Sequence, residues 1–163
     1  MNAVELIRQL DLQPHPEGGW FRETYRSGES VDAAGLPARY GAPRALSTAI
    51  YFLLEAGQFS AFHRLRSDEA WFHHAGGTLD VWRIDPQGIL HIEQLGPDAG
   101  RWQLVIPRGD WFAARPAADA PFVLIGCTVA PGFDFADFEL AEPAALADQF
   151  PAYRDCIEQL TRS

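Results

Sequence analysis

The chain has 163 residues, of which 47% are hydrophobic and 12% aromatic, which is enough for one compact domain with a substantial core. Its formal charge of −9 argues against nucleic acid or an anionic membrane as the main partner, because both reward clustered positive charge. All 13 basic side chains are arginine, so a lysine Schiff base and a lysine general base are excluded.

The amino-terminal stretch predicts a short amphipathic helix over residues 2–11, because its apolar residues recur near the helical period. These apolar residues are Val4, Leu6, Ile7 and Leu10. Charged residues interrupt the stretch, unlike a signal peptide, and no run reaches the roughly 18 apolar residues of a membrane span. The two cysteines, Cys127 and Cys156, are too few for a disulfide scaffold. We therefore expect a cytoplasmic protein.

The middle of the chain consists of short runs rich in Val, Ile, Phe, Trp and Thr between glycine and proline turns, which predicts an antiparallel sandwich or barrel. The predicted strands cover residues 19–26, 46–54, 59–65, 69–74, 78–84, 88–94, 102–106, 111–115, 121–129 and 134–139. Residues 28–43 lack hydrophobic periodicity and are predicted to form a long surface loop. After Pro143, apolar residues at three- or four-residue steps, interrupted by Pro151, predict two short helices.

Two motifs in this region have the spacing of a β-barrel metal site with ligands missing. Gly57, His63, Glu69 and Gly76 match the first signature of the cupins, in which a second histidine stands where this chain has Leu65. The second cupin signature ends in a histidine after Pro-x-Gly-x-x. Here Pro107 and Gly109 lead to Phe112 instead.

Four longer blocks resemble one branch of the cupins, the DUF985 or cupin-5 family, labelled in general terms as predicted sugar epimerases. The blocks are residues 15–25 (HPEGGWFRETY), 62–71 (FHRLRSDEAW), 107–112 (PRGDWF) and 131–139 (PGFDFADFE). The resemblance implies an all-β fold, a cupin jelly-roll (double-stranded β-helix) barrel with short N- and C-terminal helices, as a single domain over residues 1–163. It also implies a central small-molecule pocket and a homodimer, which would cover exposed strand edges.

A metal site is one hypothesis for the pocket. His63, Glu69 and His73 could supply three donors for a divalent metal, which would suit a metal-dependent cupin oxygenase. Leu65 and Phe112, however, offer no lone pair at the two remaining ligand positions. We therefore expect no metal or other cofactor, and His63 and Glu69 would then satisfy each other by a hydrogen bond.

Acid–base chemistry without a metal fits these substitutions better. Epimerising a keto-sugar needs a base that removes the proton α to the carbonyl, and the pKa of histidine lies near neutral pH, which makes His63 the candidate base. Glu69 or Asp68 would orient its ring. The acid on the opposite face would be Tyr51, Tyr25 or His73. The candidate catalytic residues are His63, Glu69, His73 and Tyr51.

Substrate contacts are predicted from side-chain chemistry. Tryptophan offers a flat face for stacking on a sugar or base, although core packing is its commoner role. Arginine binds carboxylate or phosphate through paired N–H donors, although surface ion pairs are its commoner role. Glu17 would enter the pocket or cap a turn. The candidate substrate-binding residues are Glu17, Arg22, Ser60, Arg64, Asp68, Trp71, Trp111 and Phe133.

The leading hypothesis is a cupin that binds a small polar, sugar-like ligand and acts as a metal-independent sugar or nucleotide-sugar epimerase or isomerase. A noncatalytic ligand-binding module and a metal-dependent oxygenase are the alternatives. Neither nucleic acid nor membrane is expected as a partner.

Overall fold

Two β-sheets pack face to face in the computed structural model, which describes residues 2–162. Met1 and Ser163, the ends of the predicted domain, lie outside the described residues. The helices are α1 (Ala3–Gln9), α2 (Pro143–Gln149) and α3 (Arg154–Gln159). The strands are β1 (Gln13–Pro14), β2 (Trp20–Arg26), β3 (Ser30–Val31), β4 (Arg44–Ala45), β5 (Thr48–Glu55), β6 (Ser60–Leu65), β7 (Asp68–Gly76), β8 (Leu79–Ile84), β9 (Leu90–Leu95), β10 (Gln103–Ile106), β11 (Trp111–Pro116), β12 (Phe122–Ala130) and β13 (Phe138–Leu140).

The strand order is that of a jelly roll, with neighbouring strands coming from distant parts of the chain. One sheet has the order β1-β2-β5-β12-β7-β10 and the other β13-β6-β11-β8-β9, while β3 and β4 form a separate pair. Cys127 on β12, for example, lies opposite Ile50 on β5 and Trp71 on β7. The predicted all-β jelly-roll fold with short terminal helices is confirmed.

The core between the sheets follows from the alternation of side chains along each strand. On β5, Phe52 and Leu54 pack into this core, whereas Leu53 packs on the opposite face beside Leu6 of α1. Burying such side chains contributes about 1.5–3 kcal/mol each. Helix α1 therefore covers the outer face of the six-stranded sheet. Its first turn is held by a capping box in which Asn2 and Glu5 bond each other's backbone N–H.

Helices α2 and α3 cover the outer face of the other sheet. Ile157 of α3 and Leu146 of α2 pack with Phe62, Ile84 and Trp111 from the strands beneath them. Among residues 2–162, no helix is both long enough and apolar enough to cross a bilayer.

Two predicted segments differ from the structure. The strand predicted over residues 134–139 begins as a 3-10 turn, Phe135–Asp137, because the Asp134 carboxylate accepts a hydrogen bond from the backbone N–H of Ala136. The loop predicted over residues 28–43 contains β3 and a short 3-10 turn, Ala33–Gly35. Both elements are too short for hydrophobic periodicity to reveal them.

Candidate small-molecule site

A cavity of about 280 Å³ lies between the two sheets. Six strands and two loops form its wall, and most of the side chains in the wall are aromatic or aliphatic. The apolar lining residues are Phe21, Ile50, Phe52, Leu65, Trp71, Cys127, Val129, Phe133, Phe135 and Phe138. The polar lining residues are His15, Glu17, Glu23, Arg26, Thr48, His63, Glu69 and Asp134. A mostly apolar cavity with a few convergent polar groups is the usual form of a ligand pocket.

Glu17 reaches this cavity from the tight turn between β1 and β2. Gly18 and Gly19 adopt φ angles of 111° and 74°, which disfavour any side chain. A Cβ at Gly18 would also overlap the carbonyl oxygen of Phe59. From outside, the Arg162 guanidinium donates to the carbonyl oxygens of Glu17 (3.1 Å) and Phe59 (3.0 Å). The turn is thereby fastened to β6 and the carboxyl-terminal segment.

The Glu17 carboxylate is buried and held from two sides by β6. The Ser60 hydroxyl donates to its Oε1 atom at 2.9 Å, and Nε2 of His63 lies 3.0 Å from its Oε2 atom. Burial alone would raise the pKa of Glu17, but the charge and hydrogen bond of His63 outweigh burial and lower that pKa below its ordinary value. Glu17 is therefore an anion at neutral pH.

His63 is the cation of this pair. Its Nδ1 atom lies 2.7 Å from the carbonyl oxygen of Ala61, which can only accept, so that nitrogen carries a proton. Nε2 faces the Glu17 carboxylate. Burial disfavours the charged ring, but the attraction of Glu17 outweighs it and raises the pKa of His63. Phe112 packs on the ring, with centroids 4.0 Å apart, so the apolar residue at the second-motif position shields the ion pair.

Glu69 on β7 is the second buried carboxyl of the cavity wall. Burial, followed by repulsion from Glu17, raises its pKa to about 7, while His63 acts in the opposite direction. The side chains of Trp71 and Cys127 also lower that pKa, although their geometry falls outside that of an ordinary hydrogen bond to Glu69. At neutral pH Glu69 is divided between its acid and its carboxylate, which suits a group that moves protons.

Two N–H donors in the cavity wall have no protein partner among the described residues. Nδ1 of His15 accepts the backbone N–H of Glu17 at 3.2 Å, and burial lowers the pKa of His15, so the neutral ring carries its proton on Nε2. That Nε2–H bonds to none of residues 2–162. The indole N–H of Trp71 is likewise unpaired, but its nitrogen is fully buried, so a ligand would reach it only after the ring shifts. Unsatisfied donors in a cavity are the features a ligand or water normally completes.

Charged and aromatic residues from β2 and the segment after β12 complete the wall. Arg26 binds both oxygens of Glu23 at 2.9 and 2.8 Å and donates to the carbonyl oxygen of Phe133 at 3.1 Å. Phe135, on the same segment, is more than half exposed. This side of the cavity is therefore its open side.

Five of the predicted site residues lie in the cavity wall: Glu17, His63, Glu69, Trp71 and Phe133. Ser60 lies behind the wall and holds Glu17. The expected orientation of the His63 ring by Glu69 or Asp68 is wrong, because Glu17 occupies that position.

His73 and Tyr51 lie outside the cavity, which corrects the predicted catalytic set. His73 is two residues beyond Trp71, about 7 Å further along the strand, where its ring bonds the carbonyl oxygen of Gly77 at 2.9 Å. Tyr51 lies between two cavity residues, Ile50 and Phe52, so its side chain falls on the opposite face and packs near α1. Neither can serve as the acid opposite His63.

The remaining four predicted contacts lie outside the cavity, with Arg22, Arg64 and Asp68 on the outer surface and Trp111 buried beneath the carboxyl-terminal helices. Arg22 donates to the carbonyl oxygen of Leu10. Arg64 pairs with Glu139 at 2.7 Å and stacks over Trp111, which packs beneath α2 and α3. Asp68 accepts the backbone N–H of Arg108. Their strand positions place all four away from the cavity.

The donor set does not fit a metal. His73 is removed from His63 and Glu69, so the predicted three-donor site is not assembled. Both nitrogens of His63 face oxygen acceptors, which leaves no lone pair for a cation without breaking those contacts. Within residues 2–162, no group of three or more His, Cys, Asp or Glu side chains has metal-binding geometry.

His15 was not predicted as a site residue. It stands two residues before Glu17 in the block at 15–25, and its spacing carries no periodic signal because the turn is irregular. The sequence signal that could indicate His15 is its position just before a Gly-Gly turn, where polar side chains often bond to the backbone.

The fold and the polar cluster define a jelly-roll barrel with an internal ligand cavity. The family model described as Cupin superfamily (DUF985) matches residues 4–141, and the chain belongs to this family. A search of curated proteins finds no significant match.

Two similar solved structures cover nearly the whole chain. A protein from Shewanella oneidensis is 40% identical, with a TM-score of 0.89 over 99% of this chain and 98% of that one. A hypothetical protein from Leishmania major is 35% identical, with a TM-score of 0.89 over 100% of both chains. A variant of Bacillus subtilis oxalate decarboxylase shares 17% identity and a TM-score of 0.56 over 93% of this chain and 38% of that one, which is a likeness of fold alone.

Proposed function

We propose that this cupin is a metal-independent isomerase or epimerase that moves a proton next to the carbonyl group of a small, sugar-like substrate. The observation that carries the proposal is Glu69, a buried carboxyl in the cavity wall with a pKa raised to about 7 and no ordinary hydrogen bond within the described residues. A base with a pKa near the working pH combines the correct ionised fraction with useful strength.

The unpaired donors supply the complementary function. The His15 Nε2–H and the Trp71 indole N–H would bind substrate hydroxyl or carbonyl oxygens, which would bring the carbon-bound proton to Glu69. The carboxylate takes that proton, and the electron pair moves toward the carbonyl oxygen to form an enol or enolate. Glu69 then delivers the proton to the former carbonyl carbon, while the hydroxyl proton of the neighbouring carbon passes to the former carbonyl oxygen, so that an aldose and a ketose interconvert. Epimerisation would instead need a proton delivered to the opposite face by a water molecule in the cavity. Each of the three groups gains the partner that it lacks in the protein alone.

The His63–Glu17 pair has a different role from the one predicted for His63. While its ring donates from both nitrogens, His63 has no lone pair that could accept a proton, so we assign the role of base to Glu69 instead. The positive charge of His63 beside the cavity would stabilise negative charge developing on the substrate oxygen. Glu17 keeps that charge in place, and its own negative charge adds to burial in raising the pKa of Glu69.

The cavity size limits the substrate. A volume of about 280 Å³ is at the lower end of ligand pockets, which commonly span about 300–1,000 Å³. A single sugar ring or a similar compact molecule matches this volume. Any nucleotide or other large group attached to it would extend past Arg26 and Phe135 on the open side.

Deuterium exchange tests the proposal directly. The protein is incubated in D₂O with ketopentoses, ketohexoses and a nucleotide-linked 4-keto-6-deoxyhexose, and NMR follows deuterium entering at carbon. We expect exchange with the native protein, a loss of at least about 100-fold in Glu69→Gln, and an unchanged rate in Glu29→Gln. Glu29 is an exposed matched control whose carboxylate makes no hydrogen bond or ion pair within residues 2–162. Equal rates in both variants would remove Glu69 from the mechanism.

A noncatalytic ligand-binding module is the second candidate. Both ring nitrogens of His63 already face protein oxygens, so this ring is not free to move a proton. Glu69 is then the one proton-transfer group left among the convergent polar residues, which favours this candidate. This function predicts that a panel sugar perturbs the Trp71 indole signal without any deuterium entering carbon. Exchange above the buffer rate would eliminate it.

A further inference from the structure

Four of the 13 arginines of this acidic chain surround one shallow depression on the outer surface. Arg39 comes from the long segment before β4, Arg64 and Arg66 from the end of β6, and Arg108 from the turn before β11. The depression has a volume of about 370 Å³. These four residues form the arginine patch.

Hydrogen bonds hold two of these like charges together. Arg39 donates from Nε to the carbonyl oxygen of Arg66 at 2.9 Å, and Arg66 donates from Nη1 to the carbonyl oxygen of Arg39 at 2.7 Å. Each guanidinium is thereby tied to the other segment. Two nearby positive charges repel each other, so this arrangement is more favourable when an anion lies between them.

The nearby carboxylates neutralise the patch only in part. Glu139 is paired with Arg64 at 2.7 Å. Asp137 binds the Arg44 guanidinium through both oxygens at 2.6 and 2.7 Å, and it lies 3.8 Å from Arg66. Asp68 accepts the backbone N–H of Arg108 at 2.8 Å.

Arg108 is the member of the patch left unpaired. Within residues 2–162, its guanidinium makes no hydrogen bond or ion pair, and no aromatic ring lies beneath it. Arg39 and Arg66 also keep N–H groups beyond those used in their mutual contacts. The depression therefore presents several charge-bearing donors from three separate chain segments.

We propose that the arginine patch binds a phosphate-type anion, either free or as the phosphoryl group of a larger molecule. A planar guanidinium donates two parallel N–H bonds to phosphate oxygens, and several such groups around one depression match a multiply charged anion. The site is separate from the cavity, although Leu65 lines both. It does not depend on the proposed isomerase activity.

The test uses arginine Nε–H NMR signals of the ¹⁵N-labelled full chain, titrated with sodium pyrophosphate in about 0.1 M NaCl, where charges are screened beyond about 10 Å. We expect saturable shifts of the Arg66 and Arg108 signals. Arg108→Gln should weaken binding at least about fivefold, because it removes charge-assisted hydrogen bonds. It should leave thermal unfolding unchanged, since that side chain holds no other residue.

Arg8→Gln is the matched control. Arg8 is exposed on α1, its guanidinium has no partner within residues 2–162, and its replacement removes the same charge. This variant should bind pyrophosphate within about twofold of the native protein, because long-range surface charge is screened. Equal weakening in both variants, or no saturable shift up to roughly 10 mM, would overturn the site and leave only diffuse attraction.

A titration with fructose 6-phosphate distinguishes the two sources of the anion. Shifts in the arginine signals together with the Trp71 indole signal would assign the phosphoryl group to a molecule that also enters the cavity. Shifts confined to the patch would assign the site to free phosphate or to a ligand that stays on the surface. No arginine shift with either phosphate compound would contradict the proposal.

Discussion

Glu17 Oε2 lies 3.0 Å from Nε2 of His63, and the other ring nitrogen of His63 lies 2.7 Å from the carbonyl oxygen of Ala61. This contact raises the pKa of His63 and lowers that of Glu17, which favours the charged form of both buried groups. Burial, followed by the negative charge of Glu17, raises the pKa of Glu69. The proton chemistry of the site therefore depends on a contact between a turn and a strand 46 residues apart in sequence.

Replacing Glu17 by Gln should destabilise the protein by about 3 kcal/mol, because removing one partner leaves a buried charge uncompensated. The pKa of His63 should fall, since burial then acts without the attraction of Glu17. Urea unfolding and the NMR titration of the His63 ring measure the two effects. A His63 pKa that stays raised would show that Glu17 is not its stabilising partner.

The pair should contribute most to stability between about pH 4.5 and 6.5. The raised pKa of His63 makes its contribution complete below the unfolded value of 6.5 and lost as pH rises through the folded value. The lowered pKa of Glu17 makes its contribution complete above 4.5 and lost as pH falls through the folded value. In the Glu17→Gln, His63→Gln double variant, these two components should disappear from a plot of unfolding free energy against pH.

Glu69 lowers the stability of the protein over part of the same pH range. Its pKa is raised from 4.5 to about 7, so the folded state binds more protons than the unfolded state between these values and stability falls as pH rises. The full loss is about 3 kcal/mol by pH 8. Glu69→Gln, which imitates the protonated acid, should be more stable than the native protein at pH 8 and nearly equal to it at pH 4. Parallel pH profiles for the two proteins would contradict a raised pKa.

The sequence predicts most of the strands because local patterns determine them. Alternating side chains and turn residues delimit β12 at 121–129 against the observed Phe122–Ala130. Elements set by a single side-chain hydrogen bond, such as the turn after Asp134, leave no comparable pattern.

The candidate site was less predictable because it depends on distances between segments. Alternation places the side chains of Trp71 and His73 on the same face of β7, but it does not show how far along the barrel the cavity extends. His73 therefore lies outside the cavity wall, although it was predicted to be a catalytic residue. The Glu17–His63 contact arises from an irregular turn folding onto β6, which no spacing rule describes.

Gly18→Ala should damage the cavity through the position of Glu17. The added Cβ would overlap the carbonyl oxygen of Phe59 and the Arg162 guanidinium, at a φ of 111°. Gly41→Ala is the matched control, because Gly41 also has a positive φ, 68°, but open space around a Cβ. Backbone strain costs about 1–2 kcal/mol at Gly41, whose φ lies in the left-handed region, and at least as much at Gly18. Only Gly18→Ala should also shift the NMR signals of His63, and equal shifts would show that the turn does not position Glu17.

Trp71 and Trp111 provide the sharpest test of the ligand site. Both carry a buried indole N–H without a partner among the described residues, but only Trp71 lines the cavity. Replacement by Phe removes the same N–H and a similar volume at each position, so both variants should change in stability by a similar amount. Trp71→Phe should lower kcat/KM for the exchanging keto-sugar about tenfold, the value of one hydrogen bond, whereas Trp111→Phe should leave it unchanged. If both variants lose activity equally, the effect reflects a loosened barrel and the Trp71 N–H makes no bond to the substrate.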